Sequence, residues 1–356
     1  MKLIFIHIIV LSSNFFGFYK SYEETVRSTK MRYDHAYLVD SDQPVKITPR
    51  IQINKIYGIN TLNETYIIDG YFVASWIDKR NIYKKHTYEN SIYENQIADE
   101  KIGKEIWVPA FEFINVVGNR NIVNKQIIVE PDGKITYNER FNAVFTTVMN
   151  FKNFAFDRQC FSIQLEAFSY DNTALVFLED TENITTLDDE MPEEWLVTEK
   201  KEYVNLKEYS HLSNDGSPTL FSRYNIEINA KRKIRHYLGQ FIFPLFLIIT
   251  ISWSVFWMSN LSDQLATNFT LMLTVVAFNF HTSSILPNLP YSTFIESLIT
   301  LGYFSIFISI LIILIGHSRF SKNDKERYYR LMTYCKYIFP CGFLLINLLQ
   351  AFVFFG

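Results

Sequence analysis

Apolar positions along this chain change their period once, near residue 237. Ahead of that point they alternate with polar residues, and beyond it they run together. Between residues 44 and 236 the short alternating runs predict strands. Tyr66-IIDGYFVASW is one such run. In another, Gln159 to Phe168, the residues Phe161, Ile163 and Leu165 share one face, and Gln164, Glu166 and Phe168 share the other. Two β-rich runs between Gln126 and Glu139 flank Pro131-Asp132-Gly133, which predicts a hairpin. Helical spacing shows only at 22–40 and 89–104. Many short strands joined by such turns predict an all-β sandwich over 44–236.

Four apolar segments follow, at 237–258, 265–285, 294–316 and 332–355, and each is long enough to cross a bilayer as a helix. The linker 317–331 carries Arg319, Lys322, Lys325, Arg327 and Arg330 against Asp324 and Glu326. The excess of basic residues predicts a cytoplasmic linker, with the N-terminal domain and the C-terminus outside. Lys231 to Arg235 forms a basic cluster on the outer side, against the simple rule. Long secreted domains translocate regardless of charge, so the N-terminus decides the orientation. That terminus holds Lys2, an apolar run from Leu3 to Val10 and then Ser-Ser-Asn, a signal-peptide pattern assigned to 1–19. Residues 20–43 are charged and weakly patterned, and read as a mobile lead-in.

One span is unlike the others. No charge lies between Gln264 and Ile285. On a helix, Ala266, Thr270, Leu273, Ala277, Phe280 and Ser284 fall within about 40° of one line. The opposite side is bulkier, with Phe269, Leu271, Met272, Val275, Val276 and Phe278. Small and hydroxyl residues sharing one face of a membrane helix pack against other helices or line water. Asp263 sits at the lower end of that face, which suggests a ring of carboxylates in an oligomeric cation pore.

Composition removes several classes. A formal charge of −3 leaves no nucleic-acid footprint. Three cysteines, Cys160, Cys335 and Cys341, have neither disulfide nor zinc spacing. Seven histidines show no ligand spacing, so no metal is assigned. There is no phosphate loop, GxGxxG, HExxH or paired CxxC. The chain reads as no enzyme, and no cofactor is expected.

Two places could carry recognition chemistry. Glu166 and Phe168 on one strand face set a carboxylate beside an aromatic ring, which suits an ammonium ligand as well as an ordinary solvated sheet face. Asp157 lies in a turn, where a local cap is the commonest role. Pro287 and Pro290 stiffen the connection between the second and third spans.

A sandwich followed by four spans, with Trp107-VPAFEFINVVG, Phe154-AFDRQ, Phe168-SYDN, Ile251-SWSVFW, Phe269-TLMLTVVAF and Ile285-LPNLPY, resembles the pentameric ligand-gated ion channels. The likeness covers about residues 44–356 and is greatest to their bacterial amine-gated branch. It implies a homopentamer in the plasma (inner) membrane, surrounded by lipid, with a small agonist, a primary amine, bound between subunits. The implied ligand residues are Glu112, Glu166, Phe168, Tyr209 and Phe221, with Tyr71 and Asn138 on the neighbouring subunit. Gln52 and Gln126 depart from that branch, which has an aromatic and an arginine there. The disulfide of animal members is absent, since the corresponding positions are Thr147 and Phe161. The resemblance also implies that Asp157 pairs with Arg223 above the Pro287–Pro290 loop. It further implies that Leu273 and Phe280 close the pore, and that Asp263 favours monovalent cations. Ala266 and Gln264 replace a glutamine and a basic residue at the inner mouth. The alternative is a non-conducting, membrane-anchored sensor or adhesion protein on the same scaffold.

Overall fold

A computed structural model describes residues 43–78, 90–180, 191–210, 218–320 and 325–355. The expected signal peptide, nearly all of the lead-in and residues 321–324 of the linker lie outside them. The described strands are β1 (Val45–Asn60), β2 (Thr65–Ile77), β3 (Ser91–Glu94), β4 (Phe111–Phe113) and β5 (Asn121–Val129). They continue with β6 (Lys134–Thr146), β7 (Arg158–Ala167), β8 (Leu175–Phe177), β9 (Trp195–Tyr209) and β10 (Thr219–Arg232). They form two sheets, one ordered β3-β5-β6-β2-β1-β8 and the other β4-β7-β10-β9. The helical spacing at 89–104 gives a short helix, Asn95–Lys101.

The alternation read from the sequence is the packing interface. Tyr66, Ile68, Phe72, Ala74 and Trp76 of β2 all turn inward. Phe72 meets Phe111 edge-on at 5.0 Å and Phe113 at 5.8 Å. Edge-to-face rings of this kind contribute about 0.5–1.5 kcal/mol each beyond their buried area. Tyr66 ties one sheet to the other: its hydroxyl donates to the Ser162 carbonyl and accepts from the Ser162 N–H at 2.9 Å. The hairpin at Pro131-Asp132-Gly133 forms as predicted. Gly133 takes φ 88° there, Asp132 Oδ1 accepts from Lys134 N at 3.0 Å, and Val129 pairs with Ile135.

Each expected span falls on a helix. The first runs Arg235–Trp257 with a π turn at Leu238–Ile242, and the second runs Leu261–Ser283. The third is Phe294–Phe320 and the fourth Lys325–Phe355. The fourth begins earlier than expected because Tyr328, Met332 and Cys335 already form a buried helical stripe, so most of the expected linker is helical. Among the described residues, three helices are long and apolar enough to cross a membrane by length and composition alone. The second helix, of comparable length, carries Asn268, Thr270, Thr274, Asn279 and His281 among its apolar residues. Two helix starts are capped. The Asn260 side chain accepts from Ser262 N, and Thr293 with Glu296 makes a reciprocal capping box. Glu296, in the first turn of the third helix, is held by that cap.

Candidate functional site

The sequence-predicted ligand residues fall into two groups, one on each sheet. On the four-stranded sheet, β4 and β7 pair so that Glu112 lies opposite Glu166. Glu166 is buried although it belongs to the outward face of β7, because the Arg223 and Tyr209 side chains close on it. Arg223 Nε donates to Glu166 Oε1 at 2.6 Å, and the Tyr209 hydroxyl lies 3.2 Å from Oε2. The same guanidinium donates to the Tyr209 hydroxyl at 2.8 Å and to Gln164 Oε1 at 3.0 Å. Burial raises the Tyr209 phenol above its usual pKa, and the Glu166 charge adds to the rise. Tyr209 and Phe221 meet edge-on at 5.6 Å, while Phe168 is 69% exposed. The Glu112 side chain is exposed and makes no hydrogen bond or ion pair among the described residues. Residues 211–217, between β9 and β10 in the chain, lie outside the described residues.

Tyr71 and Asn138 sit on the six-stranded sheet. Tyr71 of β2 is paired with Arg140 of β6, and Asn138 with Gln126 of β5. Together with Glu94 and Lys125 these residues line a groove of about 310 Å³. Gln126 donates to Glu94 Oε1 at 2.9 Å, and the Arg140 guanidinium lies 6.0 Å from the Tyr71 ring centre. Gln52 is opposite Tyr71 on β1.

The pairing of Asp157 with Arg223 does not form. Asp157 instead receives Arg232, Nε to Oδ1 at 2.7 Å and a terminal nitrogen to Oδ2 at 3.1 Å, with both side chains almost fully buried. Gln159 adds a donor to Asp157 at 2.7 Å. Trp195, Phe154 and Tyr237 surround the Arg232 guanidinium at 4.3, 5.0 and 5.3 Å. Burial opposes the charge on Arg232, but the Asp157 contacts outweigh it and hold its pKa above the usual value. The reason for the exchange is strand parity. Tyr224, Ile226, Ile228 and Ala230 point inward, so Arg232 points inward with them. Arg223 belongs to the other face, where Glu166 lies. That signal was present in the sequence and was missed.

Below this pair the sandwich touches the helices directly. Thr61 donates to the Ile285 carbonyl at 2.7 Å, the Phe151 N–H to the Tyr291 hydroxyl at 3.2 Å, and the Phe294 N–H to the Lys152 carbonyl at 2.9 Å. Pro287 and Pro290 lie between these contacts, in the connection from the second helix to the third.

Along the second helix, Asp263, Ala266, Thr270, Leu273, Ala277, Phe280 and Ser284 are all exposed in the single chain. Leu273 and Phe280 reach 69% and 74%. The face packed against the other helices is more polar than the sequence suggested: it holds Gln264, Asn268 and Thr282 with Val275. Gln264, expected near the inner mouth, is buried. It donates to the Val255 and Met258 carbonyls at 3.0 and 2.9 Å and accepts from the Tyr328 hydroxyl at 3.2 Å. Asn268 accepts from Ser309 at 3.1 Å.

Residues 23–234 match the neurotransmitter-gated ion-channel ligand binding domain. The chain is similar to a proton-gated ion channel of Gloeobacter violaceus, 25% identical over 89% of this chain and 85% of that protein. It is also similar to the gamma-aminobutyric acid receptor subunit beta-4 of Gallus gallus, 24% identical over 75% of this chain and 54% of that subunit. A two-sheet domain joined to apolar helices, with the domain match covering more than half its length, assigns this chain to the neurotransmitter-gated ion-channel family of pentameric, ligand-gated membrane channels.

Proposed function

We propose that this chain forms a homopentameric, ligand-gated cation channel whose pore is lined by the second helix. The observation that carries this reading is the unbroken exposed stripe from Asp263 to Ser284 along the second helix. Copies of Leu273 and Phe280 then form apolar constrictions that exclude ions by dewetting. Thr270 and Ser284 hydrate a passing ion, and the Asp263 carboxylates at the inner end favour monovalent cations. The sandwich and the C-terminus lie outside, with the connection between the last two helices in the cytoplasm.

The agonist carries a primary ammonium group. It sits between the cluster of Glu112, Glu166, Phe168, Tyr209 and Phe221 on one subunit and the groove at Tyr71 and Asn138 on the next. The relative named for gamma-aminobutyric acid supports an ammonium-bearing ligand, and the proton-gated relative makes pH the first condition to vary. Signal passes through the contacts of Thr61, Phe151 and Lys152 with the Pro287–Pro290 connection and the start of the third helix, beneath the Asp157–Arg232 pair.

Recording from proteoliposomes under a salt gradient tests the pore. Asp263→Ala is expected to lower cation conductance and move the reversal potential toward zero. An unaltered reversal potential would remove the carboxylate ring, and ligand-independent silence of the reconstituted protein would favour a non-conducting sensor.

A further inference from the structure

The fourth helix reaches the second beside Asp263. Tyr328, in the first turn of the fourth helix, donates to Gln264 Oε1 at 3.2 Å. The Gln264 amide nitrogen donates to the Val255 and Met258 carbonyls at 3.0 and 2.9 Å, so both ends of the side chain are engaged. Gln264 is fully buried and Tyr328 nearly so. An amide bonded on three sides in a sealed site keeps one orientation, because each lost bond leaves a buried polar group unpaired.

Packing at the same level brings Tyr328 this far inward. Val255, Phe256, Ile313, Tyr328, Met332 and Cys335 form a buried cluster separate from the main core. At Gly316 of the third helix an added Cβ would stand 3.1 Å from Leu331 Cδ2 and 3.5 Å from the Tyr328 ring, so the close approach there depends on the bare backbone. Two turns further along the fourth helix, Lys336 Nζ lies 5.5 Å from the Trp257 ring centre. The start of the fourth helix thus holds both the end of the first and the beginning of the second.

Asp263 precedes Gln264, and successive side chains on a helix point about 100° apart. With Gln264 anchored in the bundle, Asp263 is turned onto the exposed stripe. The cap steadies it there, Asn260 Nδ2 donating to Asp263 Oδ2 at 3.1 Å. The geometry points to Tyr328 as a positioning residue for conduction: through Gln264 the fourth helix sets the angle at which Asp263 faces the pore, and so governs conductance and charge selectivity rather than ligand sensitivity. This rests on the reading that the second helix lines a pore. A fourth helix that served only as an anchor in lipid would need no buried hydroxyl bonded to the second.

The test is recording from proteoliposomes under a salt gradient, with propylamine as the stimulus, of Tyr328→Phe, Gln264→Leu and the two combined. Tyr328→Phe removes only the hydroxyl. It is expected to lower unitary cation conductance about twofold and move the reversal potential toward zero, while the half-activating propylamine concentration stays within about twofold of wild type. Gln264→Leu should do at least as much, and adding Tyr328→Phe to it should change nothing further, since both remove the same bond. Unchanged conductance and reversal potential in Tyr328→Phe overturn the inference, as does a change confined to the half-activating concentration, or additive effects in the combined variant. If Gln264→Leu fails to assemble, Tyr328→Phe decides alone. A second measurement needs no current. In the purified full-length oligomer with its native cysteines replaced, Asp263→Cys is labelled by a charged thiol reagent and followed by intact mass. Adding Tyr328→Phe is expected to slow that labelling about threefold, because the freed turn no longer holds the position toward water. An equal or faster rate overturns the inference. Slowed labelling in a protein that carries no current would sink the channel reading alone, whereas currents whose selectivity ignores Tyr328→Phe would sink this inference alone.

Discussion

Arg223 and Arg232 lie on one strand and face opposite sides of it, and that difference separates the Glu166 cluster from the buried pair at the sandwich base. Arg232 and Asp157 have no water to replace a lost partner. Removing one charge from such a pair leaves the other buried and unpaired, at a cost of about 3–5 kcal/mol. Asp157→Asn is therefore expected to lower the melting temperature of the full-length protein sharply, by more than Glu112→Gln on the exposed face, and equal effects would count against the buried-pair reading. A second buried carboxyl behaves differently. Glu139 accepts from Tyr137 at 2.5 Å and lies 3.0 Å from Arg120 Nε. Burial pushes its pKa up from the ordinary 4.5, and Arg120 offsets only part of the rise. The folded carboxyl thus holds its proton more tightly than the unfolded one. Its stabilising contribution is complete below that ordinary value and is lost as pH rises through the folded one. Glu139→Gln cannot titrate, so wild type should lose melting temperature relative to it as pH rises above the ordinary 4.5. A difference that stays constant over that rise would contradict the raised value.

At the scale of the element, the second helix carries two polar faces with different uses. Gln264 and Asn268 are polar because they bond to neighbouring helices. The opposite stripe is exposed and interrupted by Leu273 and Phe280. An apolar ring blocks ions only while it stays dry, so a hydroxyl at that level lets water remain. Leu273→Ser is accordingly expected to raise resting current, or to lower the half-activating ligand concentration by about tenfold, in single-channel or proteoliposome recordings. Unchanged resting current together with unchanged ligand sensitivity would take the gate away from Leu273. The hydrophobic periodicity showed where this helix lies and which residues share its stripe. It did not show that the packed face would be polar, because a glutamine that bonds two carbonyls at the end of the preceding helix looks, in one dimension, like any lumen-facing amide.

For the whole molecule, the single chain presents two residue clusters on separate sheets and one exposed helix stripe, which the proposed pentamer would bring to their counterparts. A charged thiol reagent separates pore from lipid. With the native cysteines replaced, Leu273→Cys or Phe280→Cys should be labelled during opening and block current, whereas Phe352→Cys, 75% exposed on the fourth helix, should not respond. Labelling at 352 with none at 273 would turn the second helix outward and end the pore assignment. By itself the sequence determined the sandwich, its hairpin, the positions of the helices and the stripe, because each follows from a period of two or 3.6 or from a local turn preference. The tertiary structure alone decided that Asp157 belongs to Arg232, that Arg223 closes over Glu166, and that Gln264 is buried. Those outcomes depend on strand register and helix neighbours far apart in the chain, where a hydrogen bond is settled by which donor and acceptor the packed backbone brings within 3 Å.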